Sequence, residues 1–247
     1  EFFANPAKHF YIEVLQVKLP DPAWDTVSDS EMFDEDTLDE YDLNKRILAD
    51  LLDRTQPDPK AEDDYCLRLQ EQALIPLGTY GLGRTRQRYS ALRNFLNGRH
   101  GYADYERFFL ALQALRQKEK EPTPVTVESK GYIVTGSLPI IQHKSCTFLL
   151  RFRYASIKPQ DRVRAWVAHV AGHAAGNEFY TDIVGKDANK KGEKGGETIA
   201  PLSQESAKEI LAKMLELYTI GCKKLLPFAP DSSYEYATGV TENGEDS

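Results

Sequence analysis

The chain has 247 residues, 41% of them hydrophobic and 28% charged, an ordinary globular balance with enough length to bury a core without staples. No window approaches the ~18 apolar residues of a membrane span, and the N-terminus lacks the basic region and apolar core of a signal peptide. The formal net charge of −7 excludes a free-standing, strongly basic nucleic-acid module, so any such role must come from local patches or from partners.

Residues 2–19 predict an amphipathic helix with Phe3, Ala7, Phe10, Val14 and Val17 on one face, capped by Asn5 with Pro6 in its first turn. From Pro20 to Asp42 the chain carries ten acids and no base, the pattern of a solvated acidic linker. Residues 42–53 predict a helix through Leu43, Ile47, Leu48 and Leu51. The glycines of Gly78-Thr79-Tyr80-Gly81-Leu82-Gly83 break the chain ahead of a helix over 84–97, with Tyr89, Leu92 and Phe95 or Leu96 inward. Asn97-Gly98 signals a turn, and 102–118 predicts another helix through Tyr105, Phe109, Leu112 and Leu115.

The period then changes from about 3.6 to 2. Thr123–Glu128, Gly131–Leu138 and Cys146–Tyr154 read as three consecutive antiparallel strands, the first two joined at Ser129-Lys130-Gly131. Pro159 opens a helix of about 16 residues with Val163, Trp166, Val167, Val170 and Ala174 inward, and Glu178–Val184 reads as a fourth strand. Residues 185–197 are a low-complexity loop. Ser203 caps a last helix to about Lys224, with Ile210, Leu211, Met214, Leu217 and Tyr218 inward. A disordered acidic tail over 231–247 is expected to close a single nuclease-like domain, a fragment cut from something longer. The order of elements is helices, then β-β-β-α-β, then a helix, which predicts a mixed α/β domain with a central sheet.

The chemistry is sparse. Cys66, Cys146 and Cys222 are isolated and odd in number, against a disulfide framework, zinc site or iron–sulfur cluster and in keeping with a reducing cytoplasm. The glycines at 78, 81 and 83 lack the strand and the Gly-Lys-Ser/Thr ending of a phosphate loop. His169 and His173 have the four-residue spacing of a zinc pair, but Val170 stands where a glutamate base would follow and no third ligand is suggested. No metal and no cofactor are expected. The basic stretches say more. Between Glu71 and Asp104 there is no acid, yet Arg84, Arg86, Arg88, Arg93 and Arg99 occur there. A second patch holds Arg151, Arg153, Lys158, Arg162 and Arg164, offset only by Asp161. Guanidinium forks suit phosphate oxygens, so both are candidate DNA contacts, with a solvated helix face as the alternative for the first.

A β-β-β-α-β order is the core of the restriction-endonuclease-like nucleases, whose site needs an Asp at the end of the second core strand and an Asp/Glu-x-Lys on the third to hold Mg²⁺ and activate water. Here the corresponding text is Gly136-Ser137-Leu138-Pro139 and Leu149-Leu150-Arg151-Phe152-Arg153. Pro139 and Arg151 stand where the acids belong, and an arginine repels Mg²⁺. The rival reading, an active nuclease, would have to draw on Glu128 or Asp161. A third reading is a pure protein-docking module.

Several segments together resemble the C-terminal nuclease-like domain of the exodeoxyribonuclease V gamma subunit, the RecC family. They are Phe3-Ala4-Asn5-Pro6-Ala7-Lys8 with Val14-Leu15-Gln16-Val17, Leu38-Asp39-Glu40-Tyr41-Asp42-Leu43-Asn44, and Leu77-Gly78-Thr79-Tyr80-Gly81. Val134-Thr135-Gly136-Ser137-Leu138-Pro139, Trp166-Val167-Ala168-His169, Leu217-Tyr218-Thr219-Ile220-Gly221 and Leu226-Pro227-Phe228-Ala229-Pro230 follow in the family's order. The loop at 185–197 and the insertion near Asn97-Gly98-Arg99-His100-Gly101 depart from it, and the family's domain continues beyond Pro230. The resemblance implies a subunit of a helicase–nuclease that has lost its own helicase and nuclease chemistry. Such a subunit splits the duplex, channels the strands, scans for Chi and docks the alpha and beta subunits. It implies a DNA-binding, catalytically silent domain with Pro139, Arg151 and Arg153 as degenerate site positions.

Overall fold

A computed structural model describes residues 2–17, 37–53, 58–96, 121–143, 146–186 and 196–243. The expected turn at 97–98, the helix over 102–118, Arg99, most of the acidic stretch and most of the loop at 185–197 lie outside them. The chain gathers into two compact units. One holds residues 2–17 with those described from 121 to 185 and from 196 onward; the other holds the helices between 37 and 96. No described helix is long and apolar enough to cross a membrane.

In the first unit the N-terminal segment is not one long helix. Phe2–Ala4 is a 3₁₀ turn, Pro6–His9 is helix α1, and Phe10–Val14 widens to a π turn. Asn5 does cap α1, its Oδ1 accepting from the Lys8 amide at 2.9 Å. The π turn shifts the side-chain register. Phe2 and Ala4 in the 3₁₀ turn and Pro6 at the start of α1 are the buried positions, instead of the face through Phe3, Ala7, Phe10, Val14 and Val17.

Strands β1 (Thr123–Ser129) and β2 (Tyr132–Leu138) form the hairpin that the alternation predicts. Its two turn residues, Lys130 and Gly131, both have positive φ (52° and 77°), as a two-residue primed turn requires. The third strand does not continue this sheet. The hairpin stands as a separate two-stranded sheet, while β3 (Ile140–His143), β4 (Cys146–Phe152), β5 (Tyr180–Val184) and β6 (Gly196–Ile199) form a four-stranded one in that order. Helix α5 (Pro159–Ala174) makes the crossover that lets β4 and β5 run parallel. The fold is mixed α/β, but the three strands expected in one antiparallel run are divided between two sheets. The short β3 and β6 went unpredicted, the latter starting in the last two residues of the expected loop.

Helix α5 buries Ala165, Ala168, His169, Val170, His173 and Ala174, a stripe rotated from the predicted one: Val163, Trp166 and Val167 are only half-buried. Together with Val125, Val127, Leu138, Ile140, Leu149, Phe179 and Leu211 it makes the core of this unit. Helix α6 (Gln204–Gly221) starts at a Ser203 cap whose Oγ accepts from the Ser206 amide at 3.2 Å. Of its predicted inward residues Leu211 is buried, Ile210, Met214 and Tyr218 are half-buried, and Leu217 is exposed. The residues from 231, expected to be disordered, form helix α7 over Pro230–Asn243.

The second unit packs helices α2 (Thr37–Asp53), α3 (Pro59–Glu71) and α4 (Gly78–Leu96). Helix α2 begins inside the stretch read as an acidic linker, so Asp39, Glu40 and Asp42 are helical. Helix α3 was not foreseen from sequence. Its start is well specified: Asp58 Oδ1 accepts from the Lys60 and Ala61 amides at 3.0 and 3.2 Å, with Pro59 in the first turn. Helix α4 runs through the three glycines instead of starting after them. Gly81 has a packing reason, since a Cβ there would lie 1.8 Å from the Pro76 carbonyl oxygen. Leu43, Ile47, Leu51, Cys66, Leu69, Ile75, Tyr89, Leu92, Phe95 and Leu96 are buried in this unit.

Candidate nucleic-acid interface

The two arginine sets read from sequence meet different surroundings. On α4, Arg86 Nε lies 2.7 Å from Asp63 Oδ1, Arg93 forks onto both carboxylate oxygens of Glu62, and Arg88 lies 3.9 Å from Glu40. Arg84 stacks over the Tyr80 ring at 5.7 Å and donates to its hydroxyl at 3.3 Å. Acids that are remote in sequence thus meet three of these four arginines and stitch α4 to α3 and α2. The absence of acids between Glu71 and Asp104 says nothing about acids on neighbouring helices.

The second set is built around the end of β4. Strand periodicity places Arg151 on the face that α5 covers, in register with Ile183 on β5. Arg153 donates to Asp161 Oδ2 at 2.7 Å, and Arg164 lies 3.7 Å from the other oxygen. Asp161 also accepts from the Lys158 amide at 2.9 Å, which fixes it in the first turn of α5. Arg162 turns away, forked onto Glu197 at 2.5–3.0 Å and stacked on Tyr234 at 4.7 Å. The second patch is therefore offset by Glu197 as well as Asp161. Among the described residues no acid pairs with Arg151. Its side chain reaches solvent, yet the surrounding protein strips enough water to lower the guanidinium pKa.

These residues border a recess of about 370 Å³. Its charged lining is Arg151, Arg153, Arg164 and Asp161, a surplus of positive charge, and its apolar lining includes Phe3, Val163, Val167 and Ile183. Sequence reasoning missed the contribution of Phe3, because only tertiary packing brings the N-terminal 3₁₀ turn against α5.

Pro139 and Arg151 do come to the same place. The last β3–β4 pair is Ile140–Leu149, and both residues lie just beyond it at the same end of the ladder. Pro139 is exposed in the connection between β2 and β3. Glu128 sits exposed on β1, in the other sheet, and Asp161 is engaged by Arg153. Asp182 on β5 is fully buried and accepts from Thr198 at 2.8 Å. Among the described residues no cluster of His, Cys, Asp or Glu has the geometry to hold a metal ion.

His169 and His173 point inward, not to the margin of α5. Both are buried, with ring centroids 4.1 Å apart. His169 Nδ1 meets Thr181 Oγ1 at 2.9 Å, and His173 Nδ1 meets the His169 carbonyl at 2.8 Å. Burial, with the neighbouring His173 adding to it, lowers the His169 pKa to about 4. Both histidines are parts of the core. Cys66 is buried, and Cys146 and Cys222 are free and half-buried.

The chain matches the family described as the RecC C-terminal domain over residues 1–241. It is also similar to a protein named RecBCD enzyme subunit RecC from Buchnera aphidicola subsp. Schizaphis graminum (strain Sg), 22% identical over 225 residues. That similarity covers 91% of this chain but only 18% of the relative.

Proposed function

The chain belongs to the RecC C-terminal domain family, and from that premise we propose that it is a non-catalytic, DNA-binding and subunit-docking domain of a RecBCD-type helicase–nuclease. Its role is to guide strands during double-strand-break repair and recombination in the cytoplasm, against the alpha and beta subunits. The observation that carries this reading is Arg151 at the end of β4. Where a restriction-endonuclease-like site would gather carboxylates around Mg²⁺, this strand end presents a guanidinium, with Pro139 beside it at the end of the ladder. A cation at that point opposes a divalent ion and attracts a phosphate. The β3–β4 hairpin, the α5 crossover and the parallel β5 support a nuclease-like ancestry for the sheet.

Among the arginines we rank Arg151 first, with Arg153 beside it at the same strand end though held by Asp161, ahead of Arg84, Arg86, Arg88, Arg93 and Arg99. Arg86, Arg88 and Arg93 would reach a phosphate only by loosening their hold on Asp63, Glu40 and Glu62. Large exposed side chains such as Leu77, Ile133 and Tyr236 suit the docking part of the role.

The test is DNA affinity of the assembled enzyme as a function of salt. Replacing Arg151 and Arg153 by Gln should flatten the log–log salt slope by about 1.8, roughly 0.9 for each phosphate that is no longer neutralised. An unchanged slope refutes the assignment. DNA cleavage by this chain with Mg²⁺, abolished by Glu128→Gln or Asp161→Asn, would replace the silent reading with an enzymatic one.

A further inference from the structure

We infer that the recess at the end of β4 takes one nucleotide of a DNA strand, its phosphate on Arg151 and its base against the apolar wall. The inference rests on the DNA-binding reading and adds what the strand does there. Three features carry it. First, the recess has a mixed lining: Arg151, Arg153 and Arg164 against the single carboxylate of Asp161, together with the apolar side chains of Phe3, Val163, Val167 and Ile183. An anion alone has no use for that apolar lining, and an apolar side chain has none for the arginines; a nucleotide has a part for each. Second, about 370 Å³ falls near the lower end of the roughly 300–1,000 Å³ that small-molecule sites occupy. That admits one unstacked nucleotide and shuts out a duplex. Third, Asp161 holds Arg153 and Arg164 in place, while Arg151 has no paired acid among the described residues. The site thus has two fixed cations and one uncommitted one, so a phosphate can be received without breaking an existing ion pair.

Bases displaced from a stack are bound elsewhere by this combination of an aromatic or apolar wall and a cationic phosphate clamp. A domain that seats one nucleotide beside a separating duplex would hold the strand in register as it passes.

The experiment is nitrogen-15 NMR of the arginine Nε–H groups of this chain. The Arg151 resonance is identified by its disappearance in Arg151→Gln, and the chain is titrated with thymidine 5′-monophosphate, thymidine and inorganic phosphate. The expected result is a shift of Arg151 by the monophosphate at about 5- to 150-fold lower concentration than by inorganic phosphate, the range for one stacked base. Phe3→Leu should reduce that advantage and leave the phosphate titration where it was. Equal titration by monophosphate and phosphate overturns the proposal in favour of a plain anion site. No shift by either overturns it outright. Tighter binding of a short polyglutamate peptide assigns the recess to a protein partner instead. A salt slope that falls while the monophosphate shows no advantage leaves the DNA-binding reading standing and removes only the nucleotide pocket.

Discussion

Two of the three glycines of α4, Gly81 and Gly83, give opposite predictions for one substitution. Gly81→Ala places a methyl carbon 1.8 Å from the Pro76 oxygen and 2.7 Å from its carbonyl carbon. An ordinary carbon–oxygen approach needs about 3.3 Å, so backbone must move by more than about 1 Å. The Pro76 carbonyl is not free to give way: Gln70 Nε2 donates to it at 2.9 Å and to the Gly78 carbonyl at 3.0 Å. Overpacking of this kind costs about 1–3 kcal/mol, and weakening the Gln70 bond adds roughly 1. Alanine returns only about 1 kcal/mol through its helix propensity. The steric effect wins, and we expect a net loss of about 2 kcal/mol. Gly83→Ala, two residues along the same helix, meets nothing within 4 Å and should gain about 0.5–1 kcal/mol. Urea unfolding of both variants followed by circular dichroism reads the difference. If the two substitutions shift the midpoint in the same direction, the close approach of Pro76 to α4 is wrong.

Two further outcomes follow from buried groups. Tyr89 is 2% exposed and donates to Asp50 Oδ2 at 2.6 Å, tying α4 to α2; Tyr89→Phe should cost about 1–3 kcal/mol in the same urea assay, and no destabilisation would mean that the bond is not formed in solution. His169, with its pKa lowered to about 4 from 6.5, is neutral when folded. The unfolded chain takes up its proton first, so this contribution is complete above pH 6.5 and fades as pH falls towards 4, by up to about 3 kcal/mol. His169→Gln should flatten that limb of the stability–pH curve, and an unaltered limb would place the titration elsewhere.

Local signals made much of the fold legible. Pro159 and Ser203 mark helix starts that the structure has at Pro159 and Gln204, because a cap or a first-turn proline acts within three or four residues. The Ser129-Lys130-Gly131 turn is local in the same way. Pairing between strands is not. Nothing in residues 146–152 says that β4 leaves the β1–β2 hairpin for a sheet with β5, since that choice depends on the α5 crossover. The missed helix α3 shows a different limit. Its cap, Asp58-Pro59, is plain, but only Cys66 and Leu69 are buried on it, too thin an apolar stripe to stand out from a run of acids. On α5 the apolar period was visible, yet the buried stripe is rotated: Ala165, Ala168, His169 and His173 are buried while Val163, Trp166 and Val167 stay half-buried at its margin.

The candidate site illustrates why charge read along a chain misranks charges in space. A net charge of −7 and a dense arginine run at 84–99 suggested that the run was the surplus. Folding brings Glu62, Asp63 and Glu40 to it, and at ion-pair distance an opposite charge outweighs more distant ones through the inverse dependence on separation. Arg151 looked weaker in sequence, with Asp161 ten residues along the chain; folding adds Glu197 to the same neighbourhood. Those acids are held by Arg153 and Arg162, which leaves Arg151 facing the recess. Attraction for a phosphate depends on which cation remains uncompensated where a ligand can reach it. By that criterion a single arginine at a strand end outranks a cluster, and an acidic protein can still present a cationic seat.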